Sequence, residues 1–134
     1  MKKLYESAIA AAKSAYSPYS KFRVGAALLC DDGTVFTGCN IENASYSVTI
    51  CAERVALFSA VSAGKRKFKA IAVAGSSNED FTVPCSPCGV CRQALSEFCD
   101  PDMVVLLADG KNGIKEHKLG ELLPMGFTSS NMES

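Results

Sequence analysis

The chain has 134 residues, 48% hydrophobic and 21% charged, which matches a single globular domain over residues 1–134 and excludes disordered and fibrous classes. Fourteen Lys and Arg balance fourteen Asp and Glu, so no global field draws the chain to phosphate backbones or anionic lipid. Neither nucleic acid nor a membrane is an expected partner. No apolar run nears the ~18 residues of a membrane span, Glu6 and Lys13 interrupt what would be the apolar part of a leader after Lys2-Lys3, and the expected location is the cytoplasm.

Leu4, Ala8, Ala11, Ala12 and Ala15 recur at helical spacing, which predicts an amphipathic helix ended by Ser17-Pro18. Residues 24–30 are a continuous apolar run, Asp31-Asp32-Gly33-Thr34 a tight turn and residues 35–38 a second strand, together an antiparallel hairpin. Thr49 is placed to cap a helix over 51–63, which Gly64 ends in the left-handed conformation. A buried strand at 70–75 and a polar loop at 76–82 precede a second long helix, capped by Ser86, opened by Pro87 and running through Phe98. Strands at 103–108 and 114–118, the turn at 109–113 between them and a last helical turn at 121–123 complete the chain. The strand-helix-strand-helix-strand order in the middle implies parallel neighbours. The predicted fold is α/β: a mixed five-stranded sheet flanked by helices, with its three most apolar strands in the centre.

Seven cysteines, an odd number, with Cys85, Cys88 and Cys91 crowded together, point to metal rather than disulfides. Cys88 and Cys91 stand three apart at the start of one helix and so share a face, while Cys51 starts the other long helix. Helix N-termini favour the thiolate that zinc requires. Three protein ligands leave a fourth position open, the arrangement of catalytic zinc, so one Zn²⁺ per chain is expected. Glu53, two residues past Cys51, is placed to carry protons at that open position. Arg54 and Arg92 each follow a ligand segment and are expected to donate to the sulfurs, offsetting their excess negative charge. Pro84-Cys85-Ser86-Pro87-Cys88 is a second, overlapping Pro-Cys-x-x-Cys match, but Cys85 falls ahead of the helix and is expected to be a spectator. The competing arrangement is a structural four-cysteine site that includes it. Cys30, Cys39 and Cys99 are expected to be buried apolar residues, the run 65–69 a solvated helix end, and His117 a surface residue.

Cys51-Ala52-Glu53-Arg54 together with Pro87-Cys88-Gly89-Val90-Cys91-Arg92-Gln93 resembles the zinc-dependent cytidine deaminases, and the resemblance spans almost the whole chain. In length the chain is similar to the small homotetrameric nucleoside deaminases. The resemblance implies the cytidine-deaminase-like three-layer fold and a role in pyrimidine salvage. The reaction it implies is hydrolytic deamination of cytidine and 2'-deoxycytidine to uridine and 2'-deoxyuridine plus ammonia. Zinc-activated water would attack C4 while Glu53 shuttles protons to N3 and the amino group. It further implies that Phe22 packs on the base, that Asn40 and Glu42 hold sugar hydroxyls, and that Ala52 contacts the substrate. Arg54, Arg92 and Gln93 would support the ligands from behind, and Phe127 would reach the base pocket of a neighbouring subunit, so that a homotetramer shares its active sites. Two other readings compete. One is a deaminase of a cytosine-containing antibiotic of the blasticidin type; the other is a non-enzymatic zinc module that binds through residues 65–69.

Overall fold

In the computed structural model, which describes residues 1–132, the N-terminal apolar spacing forms α1 (Lys2–Ala12) and buries Leu4, Tyr5, Ala8 and Ala12. The helix stops short of Ala15: the N–H groups of Ser14 and Ala15 bond three residues back, to Ala11 and Ala12, so its end tightens into turns before Ser17-Pro18. β1 (Arg23–Cys30) and β2 (Val35–Cys39) make the antiparallel hairpin, in register from Leu29 opposite Val35 to Gly25 opposite Cys39. α2 (Ala52–Ser62) ends as its sequence predicts. Gly64 takes a φ of 92°, its N–H donates to Val61 O, and Lys65 N–H donates to Ala60 O, which satisfies carbonyls the helix leaves free. β3 (Phe68–Ser76), α3 (Gly89–Phe98), β4 (Val104–Ala108), β5 (Ile114–Lys118) and α4 (Leu119–Leu122) follow. α4 begins two residues ahead of the predicted turn at 121–123, directly off the end of β5.

The five strands run in the order β2-β1-β3-β4-β5, with the apolar β1, β3 and β4 in the centre. Parallel pairing is confined to β3 with β4, which corrects the expectation of parallel neighbours throughout the middle. β1 inserts between β2 and β3 and runs antiparallel to both. The reason is burial: β1 is apolar on both faces and belongs inside the sheet, whereas β2 has exposed positions that an edge tolerates.

Alternation along the strands divides the core into two. Ala27, Ala70, Ala72, Ala74 and Leu106 pack with α1, while Leu28, Ile71, Val73, Val105 and Leu107 pack with Ala56 and Leu57 of α2 and Leu95 of α3. Small residues let the helices lie close. A Cβ at Gly25 would overlap the backbone of Ala8 and Ala12, and one at Gly38 would stand 2.5 Å from Ala52 O and 2.6 Å from Ala56 N. The N-terminal turn of α2 is therefore pressed on β2, and this contact sets the position of everything that α2 carries.

Candidate active site

Both long helices on that face begin at a cysteine. Cys51 is the N-cap of α2, with φ −80° and ψ 154°, and Cys88 that of α3, with φ −67° and ψ 168°. These replace the predicted caps Thr49 and Ser86, and Pro87 stands before the cap rather than inside the helix. The first intrahelical bonds decide it: Val55 N–H donates to Cys51 O at 3.2 Å and Arg92 N–H to Cys88 O at 2.9 Å. Each thiol thus sits at a helix mouth, where free N–H groups carry partial positive charge.

Cys91, buried in the first turn of α3, completes a group of three. The sulfurs of Cys51 and Cys88 are 3.7 Å apart, those of Cys88 and Cys91 3.5 Å apart, and all three lie within 4.8 Å of one another. Zinc–sulfur bonds of ~2.3 Å in a tetrahedron require sulfurs ~3.8 Å apart, so the donor set fits zinc. Among the described residues no fourth Cys, His, Asp or Glu joins the group, and Cys85 stands outside it. A hydrogen bond from Cys91 holds the Cys51 thiol below its ordinary range, with Arg54 helping and burial opposing. Arg54 Nη2 lies 3.5 Å from Cys51 Sγ, and its buried Nε has no hydrogen-bond partner. Arg92 behaves differently from the expectation that it donates to the sulfurs. Nε donates to Pro87 O at 2.7 Å, Nη1 to Leu122 O at 2.6 Å and Nη2 to Ser86 Oγ at 2.6 Å. One residue past Cys91 is about 100° around the helix, which turns its side chain away from the ligand group.

Glu53 is 4% exposed. Burial pushes its carboxyl up to about 7, with the Cys51 charge adding to the effect and a bond to its own backbone opposing it. A cleft of about 190 Å³ is lined by Val24, Asn40, Cys51, Ala52, Glu53 and Cys88, among others. Asn40 is rigidly held: Oδ1 accepts from Val24 N–H at 2.8 Å and Nδ2 donates to Phe22 O at 2.9 Å. One amide N–H and one lone pair remain to it. Thr49 lines both this cleft and an adjoining hollow with Tyr19, Ser20, Glu42 and Tyr46. The Glu42 carboxylate accepts from Ser20 Oγ and from the N–H groups of Tyr19 and Ser20, at 3.0 and 3.1 Å, and the Ser20 hydroxyl above all holds it below the usual carboxylate range.

Sequence reasoning passed over Gly75. A Cβ there would stand 2.9 Å from the Phe22 ring and 2.7 Å from Cys85 Sγ, so its bare backbone lets both reach the end of β3. The available signal was a glycine inside a strand, a mark of close approach. Phe127 is 62% exposed; its carbonyl accepts from Gln93 Nε2 at 2.7 Å, and it does not line the cleft of its own chain. A larger apolar cleft, about 310 Å³, lies under Leu119, Leu123 and Met125 and contains none of these residues.

Comparison with known proteins converges on the same chemistry. Residues 1–107 match the family described as the cytidine and deoxycytidylate deaminase zinc-binding region. A cytidine deaminase of Sporosarcina psychrophila is 50% identical over 132 residues, 98% of this chain and 94% of that one. The crystal structure of cytidine deaminase from Burkholderia pseudomallei superposes with a TM-score of 0.84 at 49% identity, over 93% of this chain and 97% of that one. A blasticidin-S deaminase of Bacillus cereus is more distant, 33% identical over 113 residues, 81% of this chain and 79% of its own. A three-sulfur zinc site at two helix mouths, a buried glutamate beside it and these likenesses place the chain in the cytidine and deoxycytidylate deaminase family.

Proposed function

We propose that the chain acts, as one domain over residues 1–134, as a cytoplasmic zinc-dependent cytidine deaminase of pyrimidine salvage. It converts cytidine and 2'-deoxycytidine to uridine and 2'-deoxyuridine with release of ammonia. The observation that carries this reading is the buried Glu53 carboxyl in one cleft with Cys51 and Cys88. Cys51, Cys88 and Cys91 would hold the zinc, which supplies, when bound, a Lewis acid that makes water nucleophilic near neutral pH. Glu53 takes a proton from the attacking water and gives it to N3 as the C4–O bond forms. It then moves the second proton to the amino group, and the C4–N bond breaks to release ammonia. Arg54 offsets the charge of the thiolates through its contact with Cys51. Asn40 and Glu42 bind the sugar hydroxyls, and Ala52 and Phe22 bound the base. The antibiotic alternative leaves these two sugar-directed groups without a task, and a non-enzymatic zinc module leaves the buried Glu53 unexplained.

The exposed Phe127 ring supports a shared site in a homotetramer, with the ring closing a neighbour's base pocket and excluding water. Loss of cytidine absorbance in the ultraviolet tests the activity; turnover of a cytosine-containing antibiotic without turnover of cytidine would replace the substrate. For the shared site, Glu53→Gln and Phe127→Ala chains are denatured together and reassembled. Partial recovery of activity is expected, and no recovery in verified mixed oligomers rejects donation in trans.

A further inference from the structure

We propose that Arg92 is a positioning residue that holds Cys88 in the metal site by fastening the irregular segment before it to α4; this rests on the reading of Cys51, Cys88 and Cys91 as the zinc ligands. Of those three, Cys88 is the exposed one. The segment 77–88 that leads to it contains neither helix nor strand, and the Cys88 side chain makes no capping bond. Among the described residues, the hydrogen bonds that reach 83–87 come from one side chain, Arg92, through Ser86 Oγ and Pro87 O. The third arm of the same guanidinium donates to Leu122 O, the last residue of α4, which packs against the core beneath α3. Three donors spread in one plane thus clamp the residues directly ahead of the ligand to a packed element. A lysine, with a single ammonium, cannot span the three acceptors. Because a residue that orients a metal ligand commonly governs metal affinity, the clamp belongs to the metal site although it touches no sulfur.

The experiment loads wild type, Arg92→Ala, Arg92→Lys and Ser86→Ala with zinc and follows its release to a competing chelator. In parallel, cobalt is bound in place of zinc and the thiolate charge-transfer absorption is recorded. Arg92→Ala should still bind one zinc but release it ~10–100-fold faster, with a weakened or shifted cobalt–thiolate band. Arg92→Lys keeps the charge and loses the fork, so it should resemble Arg92→Ala, and Ser86→Ala, which removes one of the three bonds, should fall between it and wild type. If Arg92→Ala fails to fold, Arg92→Lys and Ser86→Ala carry the test. A lowered melting temperature with release and cobalt spectrum indistinguishable from wild type makes Arg92 an ordinary structural residue and overturns the proposal. Retention of zinc by Cys88→Ser would instead overturn the ligand reading, and the proposal with it.

Discussion

α2 buries Ala52, Glu53, Ala56, Leu57 and Ala60, whereas α3 buries Cys91 and Leu95. Both helices bring a cysteine N-cap to the same three-sulfur group, yet the share of packing in their support differs. The Cys51 arm is fixed by packing, with the backbone of Ala52 and Ala56 pressed on Gly38. The Cys88 arm follows an irregular segment in which Pro87 alone is fully buried, and Arg92 adds hydrogen bonds to Ser86 and Pro87. Close packing resists displacement of every atom at once, while hydrogen bonds fix only the groups they join. Glu53, the proposed proton carrier, sits on the packed arm, where its placement is most tightly fixed.

The sharpest break of this comparison removes a ligand. Cys51→Ser should lose zinc and turnover together, whereas Cys85→Ser, which leaves the three-sulfur group intact, should keep both; elemental analysis beside the cytidine assay reads the pair. Loss of zinc from the Cys85 variant would mean the site extends beyond the two arms.

Glu53→Gln tests the cargo of the packed arm rather than its support. Fold and zinc content should be kept and kcat should fall ~10²–10⁴-fold. Activity within a few-fold of wild type would show that another group moves the protons.

Two glycines probe the supports themselves. Gly38→Ala should destabilise the zinc-loaded protein by ~1–3 kcal/mol in urea unfolding, because backbone atoms cannot yield to the added methyl. Gly89, the first residue of α3, has nothing within 4 Å of a would-be Cβ. Gly89→Ala should therefore be neutral or stabilising by up to ~1 kcal/mol. Equal losses at both sites would mean the arms are equally packed.

The smallest effect lies at the far end of the packed arm. Lys65 Nζ, just past α2, reaches Asp32 Oδ2 in the β1–β2 turn at 2.6 Å, and this bond with those from Thr34 holds the Asp32 carboxyl below the ordinary range. A depressed native pKa stabilises above the unfolded value of ~3.9 and is lost as pH falls through the lower native value. Asp32→Asn should therefore lower the melting temperature slightly at neutral pH, with the gap to wild type narrowing in acid. Zinc loss is common to both proteins and cancels in the difference. A gap independent of pH would remove the ion pair from the support of α2.

Much of the local structure is set by residues close together along the chain. The spacing of Cys88 and Cys91, the stop at Gly64 and the hairpin around Asp31-Asp32-Gly33-Thr34 rest on local backbone preferences, and the order of apolar runs was enough for a mixed sheet with β1, β3 and β4 at its centre. The grouping of Cys51, Cys88 and Cys91 with Glu53 beside them was legible because the motifs put them at helix starts, where direction and charge are set within one turn. Cap positions slipped by two residues, since Thr49 and Cys51, or Ser86 and Cys88, compete on similar local terms and the contacts of the following helix choose between them. Long-range packing instead places β1 between β2 and β3, brings Phe22 and Cys85 onto Gly75, holds the Asn40 amide against Phe22 and Val24, and turns Arg92 to Pro87 and Leu122 instead of the sulfurs. Each of these pairings joins residues far apart in the chain or turned to another face of a helix. Their partners are chosen by which surfaces must be buried together, a choice that local spacing does not encode.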